Sequence, residues 1–213
     1  MVNVIDTRNS VLNTFLSEIR AVDIQQDRMR FRRNLERVGE VMAYEISKTF
    51  DYSARTIQTP INPISVMLPR QEVVIATVLR AGLPFHQGFL NYFDHAGSAF
   101  VSARRAYSRV EGQIEIRFDS VYTPDLTGKQ LLLVDPMLAT GGSAVEAINF
   151  IKQHGGKDIS FLCVIAAPEG VERLHAAHPD VKIYVGNLDR ELNENAYICP
   201  GLGDAGDRIF GTK

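Results

Sequence analysis

Cysteine is scarce: the 213 residues contain only Cys163 and Cys199. Two cysteines in a chain of this size exclude a disulfide framework and suit a reducing compartment. Cys163 stands in an apolar run and is expected to be buried. Excess charge of one sign is missing too. Lys and Arg number 23 against 25 Asp and Glu, for a net charge of −2. No global positive field therefore favours nucleic acid. No apolar run approaches the roughly 18 to 20 residues of a membrane span. The first residues lack the basic and apolar regions of a secretory leader, so a cytoplasmic protein is expected. Repeats and low-complexity stretches are absent.

What is present is ordinary globular material, 45% hydrophobic and 23% charged. It suits a single domain over residues 1–213. Residues 1–68 read as a mainly helical part. Val11, Leu12, Phe15, Leu16 and Ile19 have helical spacing, and residues 27–50 repeat it over a longer span. Pro60, Pro63 and Pro69 predict an extended or looped segment over 58–69. Beyond Pro69, short apolar strands alternate with helices. Strands are predicted at Val73–Leu79, 99–102, 131–134, 159–167 and 181–185, and helices at 84–93, 144–153 and 170–177. This order predicts an α/β fold with a mainly parallel open sheet flanked by helices. Ligands of such sheets bind beyond the carboxyl ends of strands, where Arg80 and Asp135 are expected. Residues 104–128 alternate polar and apolar side chains. They read as a β-hairpin flap off the sheet, either a surface feature or a mobile cover over a site.

Val134-Asp-Pro-Met-Leu-Ala-Thr-Gly-Gly-Ser-Ala144 is the strongest local signal. Adjacent glycines let several backbone N–H groups converge, and the following helix adds its positive end. Thr140 and Ser143 add hydroxyl donors, making a pocket for a phosphate monoester. Asp135 could accept hydrogen bonds from vicinal ribose hydroxyls. A Walker A loop is excluded by the missing lysine, and a G-x-G-x-x-G fingerprint is absent at this strand. A bare helix-capping turn would need only Thr-Gly-Gly-Ser. The second signal is residues 197–212, where four glycines, Pro200, Asp204 and Asp207 share a short span. Chain ends usually fray; a glycine-dense one suggests backbone brought close to a ligand.

Asp135-Pro-Met-Leu-Ala-Thr-Gly-Gly-Ser143 resembles the signature with which type I phosphoribosyltransferases bind 5-phosphoribosyl pyrophosphate (PRPP). That family usually has two adjacent acids here. Pro136 in place of the second resembles its uracil phosphoribosyltransferase branch. Residues 197–207, Leu192-Asn-Glu-Asn195 and Leu79-Arg-Ala-Gly-Leu83 resemble the same branch. The likeness runs from about Pro69 onward and is less distinct before it.

The resemblance implies a glycosyltransferase that joins uracil to PRPP, giving UMP and pyrophosphate in pyrimidine salvage. It assigns PRPP binding to Asp135, Pro136, Met137, Leu138, Ala139, Thr140, Gly141, Gly142 and Ser143, with Arg80, Asp204 and an arginine before the flap. Arg105 is favoured for the last over Arg104. An arginine fork suits a polyphosphate. Asp135, Arg80, Arg105 and Asp204 are the expected catalytic residues. Main chain at Ile198, Gly203 and Ala205, beside Asp204, is expected to hold uracil in a base-binding segment over about 186–213. Uracil's acceptor–donor–acceptor edge matches backbone groups, whereas cytosine would set donor against donor. Mg²⁺ is expected with PRPP. A homo-oligomer and possible GTP activation are implied, but no sequence feature locates a GTP site. No protein metal site is assigned: His175 and His178 are three apart, yet no third ligand has suitable spacing, and surface histidines are expected. Arg30, Arg32, Arg33 and Arg37, with Arg28 just before them, read as a solvated face or subunit contact. Two alternatives stay open: a phosphoribosyltransferase for another base, against which the tail argues, and an RNA-binding regulator, which the balanced charge disfavours.

Overall fold

A computed structural model describes residues 2–5, 7–107 and 114–211, with backbone only for 103–107 and 114–121. Two helices lead: α1 (Val11–Arg20) and α2 (Arg28–Ser47). Ser10 and Asn13 form a reciprocal capping box at the start of α1, satisfying two donors that a helix start leaves unpaired. Asp27 caps α2 by accepting from the Arg30 N–H at 3.0 Å. Phe31, Leu35, Val38, Met42 and Ile46 recur every three or four residues and are all buried. They form the stripe by which α2 attaches to the sheet.

The main sheet begins with β1 (Val2–Val4) and continues with β4 (Val73–Leu79), β5 (Gly97–Tyr107), β6 (Ile114–Tyr122), β7 (Gln130–Leu138), β8 (Asp158–Ala166) and β9 (Lys182–Leu188). Its order is β1-β9-β8-β7-β4-β5-β6. Every neighbouring pair is parallel except β5 and β6. Helices α3 (Leu83–Leu90), α4 (Gly142–Gln153) and α5 (Pro168–Ala177) link successive strands. Alternate strand residues feed two cores. Ile75, Leu132, Val134, Leu162 and Val164 pack with α1, α2 and α3. Val74, Leu131, Leu133, Phe161 and Cys163 pack with α4 and α5. A strand covered on both faces reads as a continuous apolar run, as 131–134 does.

Three expectations change. The part expected to be mainly helical also contains an antiparallel hairpin, β2 (Tyr52–Gln58) and β3 (Pro63–Pro69), paired from Tyr52↔Pro69 to Gln58↔Pro63. The prolines stand at the two ends of β3 and in the turn, where no ladder donor is lost. The flap does not leave the sheet: β5 runs on past Ser102, and β6 pairs with it from Phe100↔Tyr122 to Tyr107↔Ile114. A register shift between Ser102 and Ala103 marks where the hairpin bends, as a bulge does. The flap's turn, 108–113, lies outside the described residues. Third, β1 adds a parallel edge strand beside β9. Three residues are too few for a periodicity to be read.

The tail carries β10 (Glu191–Leu192), β11 (Ile198–Cys199) and α6 (Ala205–Phe210). The peptides Leu79–Arg80 and Cys199–Pro200 are cis.

Candidate active site

Strand order fixes where the site must lie. From β4 the chain passes through α3 to β5, on one side. From β7 it passes through α4 to β8, on the other. The sheet's direction of growth thus reverses between β4 and β7, and the loops there part to leave a crevice. The ladder between them ends at Thr77↔Val134. Buried Thr77 closes it by donating its hydroxyl to the Val134 carbonyl at 2.8 Å. Arg80 follows three residues later on one wall, and Asp135 follows at once on the other.

Asp135 does not end its strand, as the apolar run suggested. β7 continues through Pro136 and Met137 to Leu138, pairing with β8 alone at Asp135↔Cys163, Met137↔Ile165 and Leu138↔Ala166. Past Val134 its β4 side is an open edge, where proline is tolerated. The loop proper is only Ala139, Thr140 and Gly141, and α4 starts at Gly142 rather than Ala144. Asp135 Oδ1 accepts the Met137 N–H at 3.1 Å. Desolvation pushes its carboxyl up to about 7, against the lowering effect of that N–H. Burial, with Asp135 alongside, also pushes the Cys163 thiol up.

The turn is possible because side chains are missing where backbones cross. Gly141 has φ +77, a left-handed conformation that suits glycine. A Cβ there would lie 2.8 Å from the Gly170 carbonyl. A Cβ on Gly170 would in turn collide with the Ala139 carbonyl. The start of α5 is therefore the floor under the loop, a role that sequence motifs alone did not give to Gly170. The first N–H groups of α4 have no intrahelical partner and face the loop mouth. Thr140 is exposed and Ser143 half-buried. On the other wall, a Cβ on Gly82 would collide with Thr77 Oγ1, so glycine lets the Arg80 turn fold against β4.

The tail closes on the same crevice. Ile198, Leu202 and Ala205 are buried in one cluster with Val134, and Met137 and Ala139 pack against it. The Arg80 guanidinium lies over the Phe210 ring. Gly201 and Gly203 have φ +66 and +84. Asp204 caps α6, with Oδ1 accepting the Asp207 N–H at 3.0 Å. A polar cleft of about 590 Å³ runs along the tail, lined by Gln25, Gln26, Arg28, Tyr197, Gly203, Asp204, Asp207 and Arg208. The N-terminal segment thus borders the site, although it carries no motif.

Of the expected site residues, Arg80, the 135–143 segment and the tail residues are brought to one end of the sheet. Arg104 and Arg105 fall in β5, and their side chains lie outside the described residues. His175 is exposed, but His178 is buried against expectation. Its ring Nδ1 lies 3.2 Å from Lys152 Nζ and its Nε2 lies 3.2 Å from the Val145 carbonyl. Among the described residues no group of three or more His, Cys, Asp and Glu could hold a metal ion. The arginines of α2 have partners within the chain: Arg30 pairs with Glu18, Arg33 with Glu36, and Arg32 donates to the Ile209 carbonyl.

Comparison with known proteins agrees with this geometry. A family profile described as uracil phosphoribosyltransferase matches residues 6–212. A curated uracil phosphoribosyltransferase of Porphyromonas gingivalis is 48% identical over 208 residues, covering 96% of this chain and 95% of the relative. One from Staphylococcus aureus is 43% identical over 199 residues, covering 93% of each. The solved AQ2163 protein of Aquifex aeolicus superposes with a TM-score of 0.88 at 31% identity, over 100% of this chain and 99% of the other.

Proposed function

The chain belongs to the uracil phosphoribosyltransferase family, and from that premise we propose how its crevice performs the reaction. The enzyme transfers the phosphoribosyl group of PRPP to N1 of uracil, giving UMP and pyrophosphate. The observation that carries the site assignment is the reversal between β4 and β7, which sets Arg80 and the 135–143 segment on facing walls.

The 5-phosphate sits in the turn of Ala139, Thr140 and Gly141 against Gly142, Ser143 and the α4 amino end. Pro136, Met137 and Leu138 form the strand edge under the ribose, and the Asp135 carboxylate accepts from its hydroxyls. Arg80 and Arg105 hold the pyrophosphate. Asp204, whose Oδ1 caps α6, contributes its carboxylate to the PRPP side of the site. Main chain at Ile198, Gly203 and Ala205 reads the uracil edge. As pyrophosphate leaves C1′, positive charge develops on the ribose. Catalysis is then positioning and electrostatic stabilisation rather than covalent work.

Mg²⁺ bound together with PRPP would supply charge neutralisation for the departing pyrophosphate. Asp135 and Asp204 are the site acids that would meet the water shell of such an ion. Cytoplasmic location is part of the same reading; no described helix is long and apolar enough to cross a membrane. A homo-oligomer is supported by the β2–β3 hairpin, which exposes Ile57, Ile64, Met67 and Leu68. GTP activation is carried from the family without an assigned residue; it is tested as a rise in initial rate on adding GTP. The assignment of the crevice is tested by Arg80→Ala and Asp135→Asn. Both should raise the PRPP KM or cut kcat, and parental kinetics in both would reject it.

A further inference from the structure

Gly201 gives both of its backbone groups to one ion pair. Its N–H donates to Asp189 Oδ2 at 2.9 Å, and its carbonyl accepts from Arg20 Nη1 at 2.9 Å. Arg20 and Asp189 meet as a two-pronged fork: Nη2 to Oδ1 at 2.6 Å and Nη1 to Oδ2 at 2.8 Å. Asn187 Oδ1 accepts a further bond from Nη2 at 3.0 Å. The Asp189 side chain is only 2% exposed and that of Arg20 21%. Fork geometry of this kind fixes direction as well as distance.

Both partners are themselves held. Arg20 is the last residue of α1, and its carbonyl accepts from buried Gln25 at 2.9 Å. Asp189 directly follows β9, and its N–H donates to the Ala166 carbonyl at 2.8 Å. The pair therefore ties the tail to a helix at the other end of the sequence and to the ends of β8 and β9. Gly201 then transmits the constraint. It lies so close to Ile198 that a Cβ would collide with the Ile198 carbonyl. Ile198 on one side and Gly203 on the other are the main-chain positions assigned to the base.

We propose that Arg20 and Asp189 are positioning residues for base selection. They lock the Gly201 peptide groups so that the neighbouring backbone presents a fixed donor and acceptor pattern to uracil. Neither side chain touches substrate. A backbone pattern discriminates uracil from cytosine only if it cannot turn to offer the opposite group, because a mismatch costs an unpaired polar group only when the site is rigid. Without Asp189 the Gly201 N–H loses its acceptor, and without Arg20 the Gly201 carbonyl loses its donor; in either case the loop can rearrange to suit either base. The inference rests on the uracil-transfer reading above.

The test is steady-state kinetics of the full chain with uracil and PRPP, and with cytosine as competitor, for Asp189→Asn, Arg20→Ala and Arg20→Lys. For Asp189→Asn and Arg20→Ala, the uracil KM should rise about ten-fold or more while the PRPP KM stays within about two-fold. The ratio of cytosine Ki to uracil KM should fall by about ten-fold, and Arg20→Lys should recover part of both losses. A merely structural pair would raise both KM values together. Should these variants fail to fold, Asn187→Ala leaves the ion pair intact and reads the same quantities. It should raise the uracil KM alone, by about two- to three-fold. Unchanged uracil KM in folded variants, or uracil and PRPP KM rising in step, would overturn the proposal. A parent that forms no UMP from uracil would instead sink the uracil-transfer reading itself.

Discussion

The Arg80 guanidinium carbon lies 5.0 Å from the centroid of the Phe210 ring. One residue follows β4 and the other ends α6, so this contact joins the turn assigned to pyrophosphate with the tail assigned to uracil. An exposed cation–π contact contributes about 0.5–1 kcal/mol. Phe210→Ala should therefore raise the PRPP KM by about two- to five-fold, through loss of the arginine's preset position. Arg80→Ala removes the charge assigned to pyrophosphate and should cost about thirty-fold or more in kcat/KM. Initial-rate kinetics with varied PRPP compare the two. Equal losses would mean that the ring, and not the charge, is what matters at Arg80.

Gly170 tests the floor of the turn assigned to the 5-phosphate. Gly170→Ala puts a Cβ into the Ala139 carbonyl. Both are backbone, so one must move. Overpacking of this kind costs about 1–3 kcal/mol. The PRPP KM should rise about ten-fold, with the uracil KM changed much less. A wild-type PRPP KM with unchanged melting temperature would show that the turn tolerates displacement.

Asp135 makes the pH dependence specific. An acid whose pKa is raised on folding binds more protons folded than unfolded, here between its ordinary 3.8 and about 7. Stability from this group falls as pH rises through that window and stays low above it. Asp135→Asn removes the penalty. It should be more stable than the parent at pH 8, by at most about 4 kcal/mol, and the gain should shrink at pH 5. Melting curves at the two pH values check this. Activity moves the other way: the carboxylate is the form that accepts from ribose hydroxyls, so PRPP should bind more tightly as pH rises through about 7. In Asp135→Asn that dependence should be lost, with kcat/KM down by about ten- to a hundred-fold.

The β2–β3 hairpin carries its own prediction. Residues opposite each other in an antiparallel pair share a face, so Ile57, Ile64, Val66 and Leu68 lie together. Ile57, Ile64 and Leu68 are exposed. This patch is the surface on which the proposed homo-oligomer would form. On the proposed homo-oligomer, Ile64→Glu should sediment at a lower mass than the parent in analytical ultracentrifugation. A parent that sediments as a monomer would reject the role.

The turn assigned to the 5-phosphate was legible in the sequence because its chemistry is local. Gly141, Gly142, Thr140 and Ser143 are adjacent, and the strand before them is an unbroken apolar run. The same run hid where β7 ends. Pro136 reads as a strand breaker until β4 is known to have left the ladder at Val134, a fact of pairing rather than of local pattern. The flap was legible as a hairpin from its alternation, but its continuity with β5 depends on partners. Residues far apart in sequence stayed hidden altogether. Nothing near Arg20 or Asp189 signals that they meet, or that Gly201 lies between them. Nothing in Gly170 suggests that it supports a loop thirty residues earlier. Such relations exist only after the sheet has assembled.

Formation of UMP from uracil and PRPP with Mg²⁺, beside parallel reactions with cytosine, orotate and hypoxanthine, tests the central claim most directly. The account predicts UMP and pyrophosphate in equal amounts, with uracil the preferred base by a wide margin. Faster turnover of a purine or of orotate, or no pyrophosphate release with uracil, would contradict it.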